Sequence, residues 1–371
     1  MRVGIDAHSL GKRKTGNETY TLSLVKHLAR LEPDGIKYTV YVGANWKLEE
    51  GIGDNTCVRS KPIRPENPLL RIPFGFAVES RMDKLDVLHA QYLLPHHLRC
   101  RTILTVHDIL YERFPQYFTA WDRCRMKVGV RRSCLKADHV ITVSESSKRD
   151  LLDVYDLDPS RVSVTYLGPD ASYRPMDRLA ARERLRTRYD IGEDFLLYVG
   201  AIQPRKNIPR LLSAFALAKR EFRLPHKLVI VGPKAWMSQS AFRALESCAV
   251  KDDVIVTGYV PREDLPFFYN AAAVFLYVSL CEGFGLPVVE AMACGTPSIT
   301  SRGSSLEEIA GHAAVLVDPT DEQAIAAAIV KVLSDSDVRA TLAKRGIERS
   351  ADFSLAQMAT QTQNLYRSLM S

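Results

Sequence analysis

Two carboxylates, Glu282 and Glu290, flank a glycine-bearing loop in the second half of the chain. The apolar run 271–278 before them predicts a buried parallel strand, while Pro287 and Gly295 are typical of the first turn and the end of a short helix. A strand, such a loop and a helix N-terminus present free N–H groups to an anion, usually phosphate. Carboxylates there would accept hydrogen bonds from sugar hydroxyls. The pattern therefore predicts a ligand with both phosphates and hydroxyls, although an ordinary βα unit with two surface glutamates would look the same.

A second charged group follows an earlier strand of the same half. The run 195–200 predicts that strand, and Arg205 and Lys206 come after it at the predicted N-terminus of a helix over 208–221. Two cations on a cluster of backbone amides would neutralise the charge that grows on a departing diphosphate, and Gly200 would let the backbone approach the phosphates. The spacing indicates a pyrophosphate clamp, with two surface charges as the alternative.

The stretch from Glu282 to Glu290 fits the E-x7-E motif in the form E-G-F-G-L-P-x-x-E-A-M-A-x-G-x-P. It resembles family 4 (GT4) of the retaining glycosyltransferases, which have the GT-B fold. The resemblance implies that Glu290 holds the ribose hydroxyls of a donor nucleotide and that Glu282 contacts hydroxyls of the transferred sugar. Arg205 and Lys206 match the family's R-K pair residue by residue and would bind the diphosphate.

Further donor-binding residues are implied by the same resemblance. Val260 lies at a strand end where family members commonly sandwich the nucleotide base, and the backbone of 284–286 would approach the ligand closely. The residues expected to bind the nucleotide sugar are therefore Gly16, Gly200, Arg205, Lys206, Val260, Glu282, Gly283, Phe284, Gly285, Leu286 and Glu290.

In the first half, the strand TILTVHDI ends with His107 and Asp108 at its carboxyl edge. The resemblance implies that His107 approaches the donor sugar, so the expected catalytic set is His107, Glu282, Arg205 and Lys206. Asp108 is expected to orient the imidazole, with a capping pair as the alternative. The first βα turn aims Gly16 at the same edge. Its T-G-N-E-T-Y sequence departs from the family's glycine-rich turn, and Glu18 would repel phosphate unless it faces the acceptor.

Strands and helices alternate throughout the chain, which predicts an α/β protein. The 371 residues suffice for two sizeable cores. The resemblance implies a GT-B architecture of two Rossmann-like, doubly wound parallel-sheet domains that face a cleft. We expect an acceptor domain over 1–170, a donor domain over 176–354 and a C-terminal helix at 355–371 that packs back on the first domain. The proline-rich segment 60–73 predicts an irregular connection.

The composition, 46% hydrophobic and 25% charged, is that of an average soluble globular protein. No apolar run is long enough to span a membrane, and the first residues do not resemble a signal peptide, so we expect a cytoplasmic protein. The seven cysteines form no C-x-x-C pair. The DxD-like triplets 156–158 and 335–337 lie at polar helix ends, and the group at 96–100 lacks a fourth ligand. We therefore expect neither a metal nor a cofactor other than the donor.

A formal charge of +7 would favour anionic partners. Basic residues gather in one predicted helix, together with Trp121, Met126 and Val128. These basic residues are Arg123, Arg125, Lys127, Arg131, Arg132 and Lys136. The helix is interpreted as a solvated face or as a patch that binds an anionic membrane peripherally and reaches a lipid-linked acceptor. No nucleic-acid-binding module is recognised, and nucleic acid is not expected as a partner.

Together these features predict transfer of a hexose, with retention, from a nucleoside diphosphate sugar to a glycan or lipid-linked acceptor. The wording of the motif resembles mannosyltransferases that use GDP-mannose. A UDP-hexose donor and a nucleotide-sugar epimerase are the alternatives. An inactive sugar-binding module would lose the clamp or a glutamate, and a Rossmann oxidoreductase would show G-x-G-x-x-G after the first strand; this chain does neither.

Overall fold

The structure is a computed structural model that describes residues 1–370 apart from 12–14, 32–34, 44, 45, 47–56, 66, 68–70 and 236. The chain divides into two compact units, Met1–Leu167 with Ser354–Ser371, and Gly168–Phe353. Each unit has its own parallel sheet with helices packed around it. The α/β class predicted from the alternation of strands and helices is confirmed.

The first unit contains a parallel sheet whose described strands run in the order β3-β2-β1-β4-β5-β6-β7. They are β1 (Arg2–Asp6), β2 (Lys37–Val42), β3 (Val58–Pro62), β4 (Val87–Gln91), β5 (Arg101–Thr105), β6 (His139–Thr142) and β7 (Val162–Val164). The order reverses between β1 and β4, so the ends of these two strands form a topological switch point, where ligands bind in open α/β sheets.

Strand β3 corrects the prediction of an irregular segment over 60–73 for its first residues, 60–62, and the π-helix Arg71–Gly75 corrects it at the other end. Its register with β2 runs from Tyr38 opposite Val58 to Val42 opposite Pro62. The strand lies at the edge of the sheet, where the missing N–H of a proline breaks no ladder hydrogen bond. Part of the segment, at 66 and 68–70, lies outside the described residues.

The described helices of the first unit surround this sheet. They are α1 (Thr15–Leu28), α2 (Phe76–Met82), α3 (Leu110–Arg113), α4 (Ala120–Lys136), α5 (Glu145–Tyr155) and, at the C-terminus, the helix Leu355–Ser368. In helix α1 the side chains of Tyr20, Leu24 and Leu28 are buried. The helix begins at Thr15, which places Gly16 in its first turn.

The C-terminal helix Leu355–Ser368 packs on the first unit. Its Tyr366 hydroxyl lies 2.7 Å from Nδ1 of His89, and its Gln363 amide donates to the hydroxyl of Tyr38 at 3.0 Å. All four of these side chains are buried. Residues far apart in sequence thus share one core, as in the return of this helix implied by the family resemblance.

The second unit has a sheet with the strand order β10-β9-β8-β11-β12-β13. Its strands are β8 (Phe195–Val199), β9 (Lys227–Val231), β10 (Val254–Gly258), β11 (Val274–Tyr277), β12 (Ser298–Ser301) and β13 (Ala314–Val317). Strands β8 and β11 are apolar and fully buried, as expected of central parallel strands. The order reverses between them, so their carboxyl ends form the switch point of this unit.

The described helices of the second unit follow the predicted alternation. They are α6 (Arg178–Tyr189), α7 (Ile208–Phe222), α8 (Gln239–Glu246), α9 (Leu265–Ala271), α10 (Leu286–Ala293), α11 (Ser305–Ala310), α12 (Glu322–Ser334) and α13 (Ser336–Ser350). Continuing this order, the helix Leu355–Ser368 is α14. In the described part of the chain, no helix combines the length and the apolarity needed to cross a membrane.

Candidate functional site

The two loops that carry the predicted donor-binding charges meet at the switch point of the second unit. Arg205 and Lys206 lie in the single 3₁₀ turn Pro204–Lys206 between β8 and α7. The loop after β11 leads to Glu282, and the backbone N–H of Leu280 donates to the carbonyl oxygen of Arg205 at 2.8 Å. Loops from two neighbouring strands therefore form one site.

The predicted clamp and the first predicted glutamate form a single buried ion cluster. Arg205 Nη1 and Lys206 Nζ each donate to a different carboxylate oxygen of Glu282. Lys206 also donates to the hydroxyl of Tyr277, and Arg205 Nη1 donates to the carbonyl of Cys281 at 3.2 Å. Glu282 and Lys206 are only 7% and 6% exposed. The sequence analysis gave these side chains separate ligands and did not predict that they bind each other.

Burial and charge act in opposite directions on this cluster. Burial alone would raise the pKa of Glu282, but the charges of Arg205 and Lys206 and their hydrogen bonds lower it to about 2. Burial, together with the charge of Arg205, lowers the pKa of Lys206 to about 8 against the pull of Glu282. At neutral pH the cluster therefore has one anion and two cations, a net charge that attracts a further anion.

Three polar side-chain atoms around this cluster are buried without a hydrogen-bond partner in the described chain. They are the Tyr198 hydroxyl on β8, Oε1 of Gln203 just before the 3₁₀ turn, and Oγ of Ser279 after β11. Buried polar groups are rarely left unsatisfied, so such atoms together at a sheet edge indicate a missing ligand or water. Gly200 has a φ of +155°, and a Cβ added there would lie 2.9 Å from the Tyr198 hydroxyl. Both observations disfavour a side chain at this position, which fits the interpretation that a ligand or water belongs at this edge.

The glycine loop before α10 is held tightly in place. Gly285 has φ of +103°, and a Cβ there would lie 2.3 Å from Cδ2 of Leu306, so glycine is required. Ser305 Oγ donates to the carbonyl oxygens of Glu282 and Phe284 at 2.7 and 3.1 Å. Gly283 and Leu286 complete this loop and the start of α10. The Phe284 ring is buried against Phe353, so only its backbone can serve a ligand.

Glu290 lies inside α10, past its first turn. It is 8% exposed, and its Oε2 accepts a hydrogen bond of 2.7 Å from the hydroxyl of Tyr269 on α9. Burial raises the pKa of Glu290 to about 7, although hydrogen bonds from Tyr269 and Tyr173 act in the opposite direction. The sequence analysis missed both tyrosines, because only the fold brings residues from 173 and 269 to this carboxylate.

His107 follows β5 in the first unit and is almost fully buried. Its Nε2 has no hydrogen-bond partner among the described residues, and burial lowers its pKa to about 4, so the ring is neutral at pH 7. The rings of Tyr20 and Tyr92 pack edge-on against the His107 ring, with centroid separations of 4.7 and 5.7 Å. Asp108 accepts from the backbone N–H of Leu110 at 3.2 Å, while the N-cap residue of α3 is Ile109. The expectation that Asp108 orients His107 stays a prediction.

Known proteins resemble this chain over its whole length. Residues 181–349 match the family described as glycosyl transferases group 1, and residues 15–173 match Glycosyltransferase Family 4. The O-antigen chain mannosyltransferase B of Escherichia coli is 35% identical over 371 residues, which cover 96% of each chain. The chain is a glycosyltransferase of family 4.

Solved structures establish the GT-B fold of this glycosyltransferase. Sucrose-phosphate synthase from Thermosynechococcus elongatus superposes with a TM-score of 0.81 at 23% identity, covering 100% of this chain and 99% of that one. Anabaena HepE, solved in complex with UDP and glucose, superposes with a TM-score of 0.76 at 18% identity and covers 99% of both chains. The predicted architecture is confirmed, and so is the predicted class of enzyme.

Two other predicted donor-binding residues of the glycosyltransferase, Val260 and Gly16, lie outside the two loops that form the ion cluster. Val260 follows β10, the edge strand, which β9 separates from β8. Gly16 is exposed in the first turn of α1, and a Cβ there would meet nothing within 4 Å. The expectation that Gly16 lies in a loop is therefore wrong, and no close packing requires a glycine. Glu18 accepts from the backbone N–H of Gly11 at 2.8 Å, so one of its oxygens holds the first loop.

Among the residues that the structure describes, no group of three or more histidine, cysteine or acidic side chains could hold a metal ion. The triplets 156–158 and 335–337 occupy helix ends as predicted: Asp156 ends α5, and Asp335 caps the N-terminus of α13. The carboxylate of Asp158 accepts from the backbone N–H of Ser160 at 2.9 Å. Local backbone capping accounts for these acidic residues.

Proposed function

We propose that this glycosyltransferase transfers mannose from GDP-mannose to a glycan or lipid-linked acceptor in the assembly of a cell-surface polysaccharide. The buried cluster of Arg205, Lys206 and Glu282 is the observation that carries the proposal, because two cations on one carboxylate leave a net positive charge beside unsatisfied polar atoms. The choice of mannose is supported by the O-antigen chain mannosyltransferase from E. coli, which aligns over nearly the whole chain. A UDP-hexose donor is the alternative.

The cluster gives the donor diphosphate two positive partners. In the proposed complex Arg205 and Lys206 bind the diphosphate oxygens and stabilise the negative charge that grows as the sugar departs. Glu282 is then released from part of its ion pairing and accepts hydrogen bonds from the sugar hydroxyls. Glu290 accepts from the ribose hydroxyls. Because the two cations offset most of the diphosphate charge, the proposed reaction needs no divalent metal.

We propose that the reaction retains the configuration of the sugar by attack of the acceptor hydroxyl on the face that the diphosphate leaves. A covalent intermediate would need a free carboxylate as nucleophile. Both oxygens of Glu282 accept hydrogen bonds from cations, and Glu290 is hydrogen-bonded by Tyr269. These contacts favour binding roles for both glutamates.

Donor choice and stereochemistry are tested together with the purified enzyme. Release of nucleoside diphosphate is measured for GDP-mannose, UDP-glucose and UDP-galactose, with and without a mannoside acceptor, and with EDTA present. The proposal predicts acceptor-dependent release from GDP-mannose, no loss with EDTA, and an α-linked product by NMR. An epimerase would isomerise the sugar without acceptor, and a β-linked product would refute retention.

We also propose that the protein binds peripherally to an anionic membrane at the cytoplasmic face. The surface of helix α4 supports this proposal. Trp121, Cys124, Val128 and Leu135 are exposed and recur at helical spacing, so they form one apolar stripe; Trp121 is 74% exposed. Basic residues lie on both sides of this stripe. An apolar stripe between cations is the pattern of helices that lie in the interface of an anionic bilayer.

Several cations of α4 are already engaged, which corrects the simple view of a free basic face. Lys127 pairs with Glu112 at 3.1 Å, Arg132 hydrogen-bonds to the His96 imidazole, and Lys136 donates to backbone carbonyls. Arg123 and Arg131 form no ion pair with any described residue. These two side chains are therefore the best candidates for lipid phosphates.

Vesicle sedimentation tests the membrane proposal. Replacing Trp121 and Val128 by serine, or Arg123 and Arg131 by glutamine, should reduce binding to vesicles with 30 mol% (about one third) anionic lipid, while activity on a soluble acceptor persists. Leu179→Ser is the matched control, because Leu179 is equally exposed, at 74%, in the second unit. Equal sedimentation of all variants would refute the membrane proposal.

A further inference from the structure

A carboxylate and an imidazole form a close pair at the end of β1. Asp6 is the last residue of the strand and is 4% exposed, and its Oδ1 lies 2.6 Å from Nδ1 of His8. The same oxygen accepts from the backbone N–H of His8 at 3.2 Å. The side chain of His8 is 22% exposed. Asp6 therefore fixes both the backbone and the ring of a histidine whose outer edge is open.

This geometry decides which ring nitrogen faces outward. Because Nδ1 lies against Oδ1 of Asp6, Nε2 is on the side of the ring that faces away from the carboxylate. Within the described part of the chain, no group hydrogen-bonds to His8 Nε2. The pair thus presents one oriented ring nitrogen with no described partner.

The position of the pair in the fold is where a ligand of the first unit is expected. Strand β1 lies next to β4 at the switch point of this sheet. Gln91, at the end of β4, donates through Nε2 to the backbone carbonyl of Asp6 at 3.4 Å. His107 follows β5, the next strand, and its buried Nε2 is also without a described partner. One edge of the sheet therefore carries two imidazole Nε2 atoms that have no described partner.

We propose that the Asp6–His8 pair is a hydroxyl-binding subsite for the sugar acceptor. A hydroxyl of the acceptor hydrogen-bonds to Nε2 of His8, and Asp6 is a positioning residue that holds the ring in place. A hydroxyl both donates and accepts hydrogen bonds, so it can pair with this ring nitrogen. The subsite deepens the proposed function and rests on it for the identity of the ligand as a glycan.

Two substitutions of His8 separate its two ring nitrogens. In His8→Asn the amide takes the place of Nδ1 and keeps the bond to Asp6, but the contact from Nε2 is lost. In His8→Gln the side-chain amide reaches the place of Nε2 and can still hydrogen-bond to the hydroxyl. We expect His8→Asn to raise KM for an octyl mannobioside acceptor about tenfold, the effect of one hydrogen bond, while His8→Gln stays within about threefold of the wild type.

Further measurements distinguish binding of the acceptor from a structural effect. Affinity for GDP by calorimetry and the Tm should match the wild type in both variants, and His97→Asn, at an exposed histidine of the same unit, should change neither KM nor Tm. An unchanged acceptor KM in His8→Asn would overturn the subsite. So would a parallel loss of GDP affinity or of Tm, because the residue would then act on the fold or on the donor.

The subsite and the proposed function can fail separately. If the wild type turned over no nucleotide sugar with any acceptor, the proposed function would fail. The subsite would then be decided by NMR titration with the mannobioside. The imidazole signal of His8, assigned from its absence in His8→Asn, should shift on addition of the sugar, and a signal that stays in place would refute the subsite.

Discussion

Replacing Glu282 by glutamine should make the enzyme less stable and yet tighten its binding of GDP. The substitution keeps the shape of the side chain and removes the negative charge that Arg205 and Lys206 share. Removing one partner of a buried ion pair costs about 3–5 kcal/mol, and the glutamine oxygen can still accept one hydrogen bond, so we expect a loss near the lower end, about 3 kcal/mol.

The same change removes a competitor for the cations. A diphosphate placed beside Arg205 and Lys206 would stand about 5 Å from the Glu282 carboxylate, and two such charges repel by about 3 kcal/mol at an effective dielectric constant of about 20. Loss of Glu282 also lowers the pKa of Lys206 further, because this carboxylate is what raises it. Part of the gain is therefore lost, and we expect about tenfold tighter GDP binding at pH 6.5, equivalent to about 1.4 kcal/mol.

Calorimetry with GDP and thermal unfolding measure the two effects in one sample. Transfer to an acceptor should fall in the variant, because the sugar hydroxyls then meet a neutral amide oxygen in place of a charged carboxylate. Glu183→Gln is the control, since this glutamate forms a surface pair with Arg186 at 61% exposure and its loss should leave the Tm and GDP binding unchanged. An unchanged Tm together with weaker GDP binding would refute the view that Glu282 occupies the phosphate-binding cations.

Four other outcomes follow from the site. Because the pKa of Lys206 is lowered to about 8 and a diphosphate binds its charged form, GDP affinity should be full below pH 8 and fall above it, with proton uptake on binding measured in two buffers. The pKa of Glu290 is raised to about 7, so donor affinity should fall as pH drops below 7, and Glu290→Gln should abolish this slope in calorimetric titrations. Tyr269→Phe should cost about 1 kcal/mol of unfolding free energy in a urea titration, because it removes the 2.7 Å bond to Glu290. Gly285→Ala should cost about 1–3 kcal/mol and lower transfer, because its φ is +103° and its Cβ would clash with Leu306; a Tm equal to that of the wild type would contradict this.

The pH dependence of stability is a further check on the same cluster. The pKa of Glu282 is about 2 in the folded protein, below the ordinary value of 4.5. Its contribution to stability is therefore complete above about pH 4.5 and is lost as the pH falls toward 2. Acid unfolding followed by circular dichroism should show a smaller loss in this range for Glu282→Gln than for the wild type.

The sequence alone predicted most of the second unit, for physical reasons. Strands β8 and β11 are short apolar runs with polar loops at their carboxyl ends, and parallel strands place these ends at one edge. Arg205, Lys206 and Glu282 were therefore found as candidates. Their mutual ion pairing was not predicted, because it depends on the order in which β8 and β11 pair, which no local pattern contains.

The first unit shows where local patterns are insufficient. The contact between Asp6 and His8 was not predicted, because the sequence analysis expected a carboxylate–imidazole pair only at His107 and Asp108. Side chains two residues apart at a strand end can hydrogen-bond to each other when the chain turns there. That turn has no distinctive sequence. Strand β3 was missed because Pro62 suggested a loop, although an edge strand tolerates proline.

The account depends most on the site at which the second unit binds its donor. A crystal structure of the enzyme with GDP-mannose tests this directly. We predict that the diphosphate oxygens lie within hydrogen-bond distance of Arg205 and Lys206, with the ribose on Glu290 and sugar hydroxyls on Glu282. Density for the nucleotide away from these four side chains, with the Glu282 ion pairs intact, would contradict the account.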